Sequence, residues 1–448
     1  MAHFVPHTEE EVARMLADLG LSSTEELFSS VPAALRLAGG LDLPPGLAEA
    51  DVAAEMARLA GANAGDGLVC FAGGGAYDHD IPAVTRSLAG RSEFVTSYTP
   101  YQPEVAQGVL QALFEYQTLV SHLAGLPVAN ASVYDGATAV VEAVNLAMAA
   151  TGRRSVWVSE GLNPRWRRVL STFTAGRAPE LVEVPLVGGT TRWGRAGGPG
   201  EGGQGVPPAA LVVASPNYLG CIDPLGAARA AATEAGALLV VAFDPVSAGL
   251  LRTPGQQGAD VAVAEGQPFG TPMAFGGPYL GMMAVAQDHV RRVPGRLVGR
   301  TVDSAGRAAY VTTLRAREQD IRREKASSNI CTNQTLVAIT AMVQLAWLGT
   351  GGLRELALRC ARGTRYLREG ILGLPGVEPM AAAPVVREFA VTLPVAPEAV
   401  VERMADEGFL AGLPVEAGGR QGLLVAVTEK RTRAEMDAYL VALEKVLS

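Results

Sequence analysis

Lysine is nearly absent from this 448-residue chain. Only Lys325, Lys430 and Lys445 occur, and arginine carries almost all of the positive charge. Cysteine is scarce too: Cys70, Cys221, Cys331 and Cys360 stand far apart with no C-x-x-C pair. That argues against a metal ribbon or a disulfide framework, and the expectation is free, buried thiols in a reducing cytoplasm. The five histidines include no H-E-x-x-H or other close pair, so a zinc site is not expected. The net charge is −8 with acids and bases interspersed. That argues against nucleic acid as the main partner, because phosphate binding needs a basic face. The longest apolar runs, such as Leu238–Phe243, are strand-length, well below the roughly 20 residues a bilayer span needs. Residues 1–11 lack a basic region followed by an apolar run, so no signal peptide is expected.

What remains is apolar. Hydrophobic residues make up 48% of the chain and charged ones only 18%, enough to build a sizeable core and too little charge for disorder. The length suggests two or three domains. Residues 1–60 read as short helices. Thr8 with Glu11 and Ser23 with Glu26 form capping-box patterns, and Pro44-Pro45-Gly46 makes a loop before a helical stretch over 51–60. A Gly-rich segment over 70–79 precedes no clear strand, and residues 103–123 have helical spacing. From there, short apolar runs at 156–159, 181–185, 211–214, 238–243, 260–264 and 281–285 read as strands buried on both faces. Helical stretches lie between them at 137–150, 164–175 and 224–235, the last with Asp223 as N-cap and Pro224 at N1. This alternation predicts a mostly parallel sheet covered by helices. Residues 188–205 form a Gly-rich insert without P-loop spacing. Residues 335–348 and 353–370 read as helices broken at Gly351-Gly352. Strands at 388–393 and 422–427 and a helix over 433–447 then predict a small α+β domain. The expected organisation is a helical arm over 1–60, a large α/β domain over 61–326 and a small domain over 327–448.

Open parallel sheets bind ligands at the carboxyl ends of their strands. Asp244 ends the most apolar run, Val240-Val241-Ala242-Phe243-Asp244. Two readings stay open: a carboxylate pairing with the pyridinium nitrogen of pyridoxal phosphate (PLP), or a turn cap before Pro245. PLP chemistry also needs a lysine a few tens of residues after that strand. The region reads Ala264-Glu265-Gly266-Gln267-Pro268-Phe269-Gly270 and has none. Lys430 and Lys445 lie in or beside the last amphipathic helix, and Lys325 in the charge run Arg322-Arg323-Glu324-Lys325. Ser97-Tyr98-Thr99-Pro100-Tyr101-Gln102-Pro103-Glu104 combines two rigid prolines with two tyrosines, Gln and Glu, and suits either a binding surface or a packed turn. Asn130-Ala131-Ser132, before the helix from Ala137, could present amides and hydroxyls to an anion or merely cap.

The stretches from Tyr98 to Glu104, Ala129-Asn130-Ala131-Ser132, Asp135-Gly136-Ala137-Thr138-Ala139, Phe275-Gly276-Gly277-Pro278, and the long run from Arg317 to Thr332 resemble the N-terminal half of glycine decarboxylase, the P-protein of the glycine cleavage system. The resemblance spans residues 98–332, with flanks that fit in length, and is similar to subunit 1 of the split form. It implies a fold-type I PLP-dependent transferase-like α/β fold with a smaller α+β C-terminal domain. The cofactor lysine would belong to subunit 2, in an α2β2 assembly with catalytic sites between unlike subunits. The family reaction releases the carboxylate of glycine as CO2 and passes an aminomethyl group to the lipoyl arm of H-protein. In that frame Tyr98, Thr99, Tyr101, Gln102 and Glu104 close the partner's site in trans. Asn130, Ser132, Asp135, Asp244 and Gln267 line a vestigial pocket. Arg322 and Arg323 pin subunits together, with Glu318 and Glu324 as partners. Neither nucleic acid nor membrane is implied as a partner, and the setting is cytoplasmic. Two rival readings remain: a complete PLP enzyme using Lys325 or holding PLP without a covalent link, and a regulatory or scaffolding subunit that never touches substrate. The resemblance, with no lysine near Gln267, implies a companion reading frame for a similar chain with lysine where this one has Gln267. Finding no such frame in the genome would remove the split-enzyme reading.

Overall fold

The computed structural model describes residues 6–37, 39, 41–97, 99–177, 180–194, 206–326 and 328–448. Met1–Ala64 and Gly65–Ser448 form separate compact units. In the first, the helix Glu9–Asp18 starts with the expected capping box, Thr8 and Glu11 bonding reciprocally. At the second site Ser23 makes no side-chain cap; Glu26 instead accepts from the Ser22 N–H at 3.0 Å. No residue of the helices Glu9–Asp18 and Glu49–Gly61 is buried.

Two β-layers organise the second unit. The larger is a seven-stranded sheet, in spatial order Val128–Ala129, Gly281–Val285, Val261–Glu265, Leu238–Phe243, Ala210–Ser215, Ser155–Ser159 and Glu180–Val184. The five strands from Val261–Glu265 to Glu180–Val184 run parallel; Gly281–Val285 is antiparallel to both of its neighbours. Strand geometry turns successive side chains to opposite faces. Leu211, Val213, Leu239 and Val241 accordingly enter one core, while Val212, Val240, Val261 and Val263 enter the other. Both faces must be apolar, which is why these strands read as unbroken hydrophobic runs. On one face lies the Ala-rich helix Gly136–Thr151, capped by Asp135, whose Oδ1 accepts from the Thr138 N–H at 2.7 Å. On the other, Gln107–Ala124 packs with the first half of the long helix Thr335–Leu372.

The smaller layer is a four-stranded antiparallel sheet of Glu378–Pro379, Glu388–Thr392, Arg420–Ala426 and Leu413–Ala417, backed by Pro397–Asp406 and Arg433–Leu447. The segment after residue 65 joins this side: Val69–Cys70 pairs with Phe409–Leu410, and Phe71 stacks 4.6 Å from Tyr439. The expected large domain from residue 61 therefore begins with a piece of chain that packs on the C-terminal layer.

Several boundaries differ from the sequence reading for identifiable reasons. The helix Leu225–Ala235 has Pro224, not Asp223, at its N-cap, because Asp223 Oδ2 accepts from the Thr191 N–H and hydroxyl at 2.8 and 2.6 Å. The long helix breaks at Gly349 (φ 58°), not at Gly351-Gly352. By length and composition its apolar stretch could cross a membrane, but Ala338, Ile339, Ala341 and Met342 are buried in the core. The hairpin of Leu297–Val302 and Ala308–Thr313 was not anticipated, since only Leu297 and Val298 are buried in its first strand. In the Gly-rich insert, Leu186–Val187 and Thr190–Thr191 pair as a small hairpin; residues 195–205 lie outside the described set.

The two layers meet closely at Gly220. Its φ is +81°, and an added Cβ would lie 1.8 Å from the Glu388 carbonyl oxygen. Gly220→Ala is expected to cost about 2–4 kcal/mol through backbone strain and forced separation. Urea unfolding that leaves the midpoint unchanged would count against this junction.

Candidate functional site

A cleft of about 660 Å³, counting its open mouth, lies at the carboxyl ends of the parallel strands. Leu162 and Asn163 follow Ser155–Ser159, Pro216 to Tyr218 follow Ala210–Ser215, Asp244 follows Leu238–Phe243, and Glu265 ends Val261–Glu265. The small layer supplies Arg387 and Glu388, and the Gly-rich segment supplies Gly74, Gly75 and Tyr77.

A buried chain of charge closes one side. Arg387 donates from Nη2 to Asp244 Oδ1 at 2.7 Å and from Nη1 to His79 Nε2 at 2.7 Å. A guanidinium can only donate, so His79 carries its proton on Nδ1 and gives it to Glu429 Oε2 at 2.6 Å. The Arg387 guanidinium carbon sits 3.5 Å over the Tyr77 ring. Burial is the largest influence and disfavours its charge, but the acidic groups around it, Asp244 first and then Tyr77 and Glu388, together outweigh that and keep it protonated. Burial also opposes ionisation of Glu429, yet His79 and the Asp80 N–H together leave its carboxyl below the usual range. Next to these, Glu388 accepts from Tyr77 OH at 2.8 Å and from the Gly74 N–H at 3.0 Å, while burial pushes its own carboxyl up. His79, Cys360 and Glu429 place ligand atoms within 4.8 Å of one another, a grouping invisible in the linear sequence. The Arg387 charge on His79 opposes a cation there, and burial pushes the Cys360 thiol up to about 12.

At the base of the cleft, burial pushes Glu265 up to about 8 although three N–H groups, of Leu280, Gly136 and Gln267, donate to it. Gln267, 1% exposed, turns away from the opening. Its Oε1 accepts from the Tyr77 N–H at 3.0 Å, and its Nε2 donates to the carbonyls of Tyr77 at 3.0 Å and Thr271 at 2.8 Å. This amide ties the Gly-rich segment to the large sheet.

Of the residues expected in a vestigial pocket, only Asp244 lines this cleft. Asn130 and Ser132 are fully buried elsewhere: Asn130 Nδ2 donates to the Pro294 carbonyl at 2.9 Å, and Ser132 Oγ accepts from the Gln334 N–H at 3.1 Å. Asp135 is a helix cap. The Asn130–Ser132 segment supports a second face, where Tyr101 is 38% exposed between Arg296 and Arg315. Gln102 and Glu104 are exposed and Thr99 half-buried beside it, while Tyr98 lies outside the described residues. Arg322 and Arg323 are exposed and make no ion pair among the described residues. Glu318 is buried amid Arg317, Arg296 and Arg315 rather than beside them. Sequence reasoning missed Arg387, His79, Glu429 and Glu388, which carry no local motif. Glu265 was within reach, as an acid ending a buried strand.

The chain matches the family model for the glycine cleavage system P-protein over residues 2–443. It belongs to that family. A P-protein relative, the probable glycine dehydrogenase (decarboxylating) subunit 1 of Moorella thermoacetica, is 47% identical over 99% of this chain and all of its own length. The crystal structure of glycine decarboxylase (P-protein) in inhibitor-bound form matches with a TM-score of 0.92 and 46% identity, over the whole of both chains. A sphingosine-1-phosphate lyase of Burkholderia pseudomallei, 15% identical with a TM-score of 0.64 over 93% of this chain and 94% of its own, shares the fold. The architecture is that of fold-type I PLP enzymes.

Tested against that cofactor, this P-protein chain's own cleft does not fit. PLP needs a lysine amine to hold it, and no lysine lines the cleft; Gln267, in the stretch where one was expected, is a fully engaged amide, and the Asp244 carboxylate is held by Arg387. Arg387→Ala strands Asp244 and should cost about 3–5 kcal/mol, part of it regained on adding Asp244→Asn; denaturant midpoints of the single and double variants measure both. Glu265 is neutral in the fold up to about 8 but ionises near 4.5 when unfolded. Its contribution is therefore complete below 4.5 and is lost as pH rises toward 8. Melting temperatures across that window should fall, and Glu265→Gln should flatten the slope while losing stability from an amide NH2 turned toward the Gly136 N–H.

Proposed function

We propose that this chain is the subunit of a split glycine decarboxylase that lacks the cofactor lysine, and that it acts with a lysine-bearing subunit 2 in an α2β2 assembly in the cytoplasm. The assembled enzyme decarboxylates glycine with PLP held by the partner and transfers the aminomethyl group to the lipoyl arm of H-protein. One observation carries this reading: Gln267 stands where a cofactor lysine would, with its amide wholly committed to the Tyr77 and Thr271 backbone.

The chain's own contribution is then positional. The rigid Pro100–Pro103 loop presents Tyr101, Gln102 and Glu104 outward, where they complete the partner's site, orient the substrate and exclude water. Lys325 is exposed, unlike a cofactor lysine in a closed site, which disfavours a complete enzyme in one chain.

Purified alone and mixed with PLP, the chain should show no visible absorbance and release no CO2 from glycine. Adding the lysine-bearing subunit should restore both. A coloured, active single chain would overturn the proposal. In the assembled enzyme, Tyr101→Phe and Gln102→Ala should lower turnover by about tenfold or more with assembly intact, whereas a pure scaffold would leave it unchanged.

A further inference from the structure

Around Tyr101 the chain gathers more positive charge than its own groups satisfy. Arg296 is only 1% exposed, yet its hydrogen bonds are long: Nη1 to the Thr332 carbonyl and to Asn333 Oδ1, and Nη2 to Tyr101 OH, all at 3.4 Å. Its Nε has no acceptor. Arg317, also buried, donates from Nη1 to the Val293 carbonyl and leaves Nε and Nη2 bare. Arg315 pairs through Nη2 with Asp320 at 2.8 Å and leaves Nε bare. The guanidinium carbons of Arg296 and Arg315 lie 5.2 and 5.0 Å from the centre of the same Tyr101 ring. Glu318 is within electrostatic reach of all three arginines, yet its buried Oε1 accepts no hydrogen bond.

Buried guanidinium N–H groups without acceptors are costly, and an arginine fork matches the planar edge of an oxyanion. The frame that holds them is well tied. The Ala131 N–H donates to the Arg296 carbonyl at 2.9 Å, Asn130 to the Pro294 carbonyl at 2.9 Å, and Asn333 Nδ2 to the Ala131 carbonyl at 2.7 Å. Tyr101 and the half-buried Arg315 leave the cluster open to the outside.

The geometry points to an oxyanion-binding site built from Arg296, Arg315 and Arg317 beside Tyr101, which receives a carboxylate or phosphate group brought to this face on assembly. The site deepens the proposed function and rests on its placing of the Tyr101 loop at the partner's catalytic site. The oxyanion has two sources there, the carboxylate of glycine and the phosphate of PLP. Asn130 and Ser132 become positioning residues for this face.

The test uses the assembled two-subunit enzyme with Arg315→Gln and Arg317→Gln singly, and Arg359→Gln, an exposed arginine on the long helix, as control. Sedimentation reports assembly, absorbance titration of the cofactor-stripped enzyme reports PLP affinity, and kinetics at saturating PLP report KM and kcat for glycine. We expect about a tenfold loss in one constant. Weaker PLP binding with KM unchanged assigns the phosphate; a raised KM with PLP affinity unchanged assigns the carboxylate. The control should stay within about twofold. Arg315 carries the decision if the Arg317 variant fails to fold, because its side chain is partly exposed. Both constants unchanged in an assembled Arg315→Gln enzyme would overturn the site. So would dissociation of the subunits, which would mean that the arginine meets a partner side chain instead. If Gln102→Ala lowers turnover while the arginine variants do nothing, the oxyanion site falls and the interface reading stands.

Discussion

The buried guanidinium of Arg387 is the constraint around which the cleft is arranged. It binds Asp244 from the large sheet and His79 from the Gly-rich segment, and through His79 it reaches Glu429 beyond the last strand of the small layer. Four polar side chains from distant parts of the sequence are thereby fixed in a dry environment. Burial of such charges yields little net stability, since desolvation offsets most of the Coulomb attraction. What it does provide is a single relative placement of the two β-layers, because any shift strands an ion. Gly220 against Glu388 enforces the same placement by contact.

Two faces of this unit thus differ in their state of satisfaction. In the cleft, Glu265, Glu388, Asp244 and Arg387 all have partners within the chain, as does Gln267 behind it. Around Tyr101, three arginines and a glutamate keep bare polar atoms. Native interiors rarely tolerate such groups without reason. The cleft is satisfied from within the chain, and the outward face is unfinished until something meets it. This asymmetry agrees with a chain that contributes to a site it does not own.

The fold was legible where burial on both faces imposed a continuous apolar run, as in Ala210–Ser215 and Leu238–Phe243. It was illegible where side-chain bonding competed with a local rule. Asp223 sits where a cap belongs but bonds Thr191 instead, and the edge hairpin after Arg296 buries too little to leave a pattern. Asp244 and Gln267 could be singled out because their positions relative to a strand carry meaning. Arg387 could not: it lies 143 residues from Asp244, and only the packing of one layer on another brings them together. Arg296, 195 residues from Tyr101, was hidden in the same way. Conversely, Arg322 and Arg323 stood out as a charge run yet are exposed, while Arg315 and Arg317, just before it, converge with the more distant Arg296 around Glu318.

The Gln267 amide also limits what can replace it. It uses a donor and an acceptor at once, bonding both the N–H and the carbonyl of Tyr77. Lysine has donors only, so placing one at this position would leave the Tyr77 N–H bare and loosen the Gly-rich segment. Gaining an amine here while keeping the Gly-rich segment anchored would take at least two coordinated replacements, one at residue 267 and one to release Asp244. No single substitution in this chain achieves both.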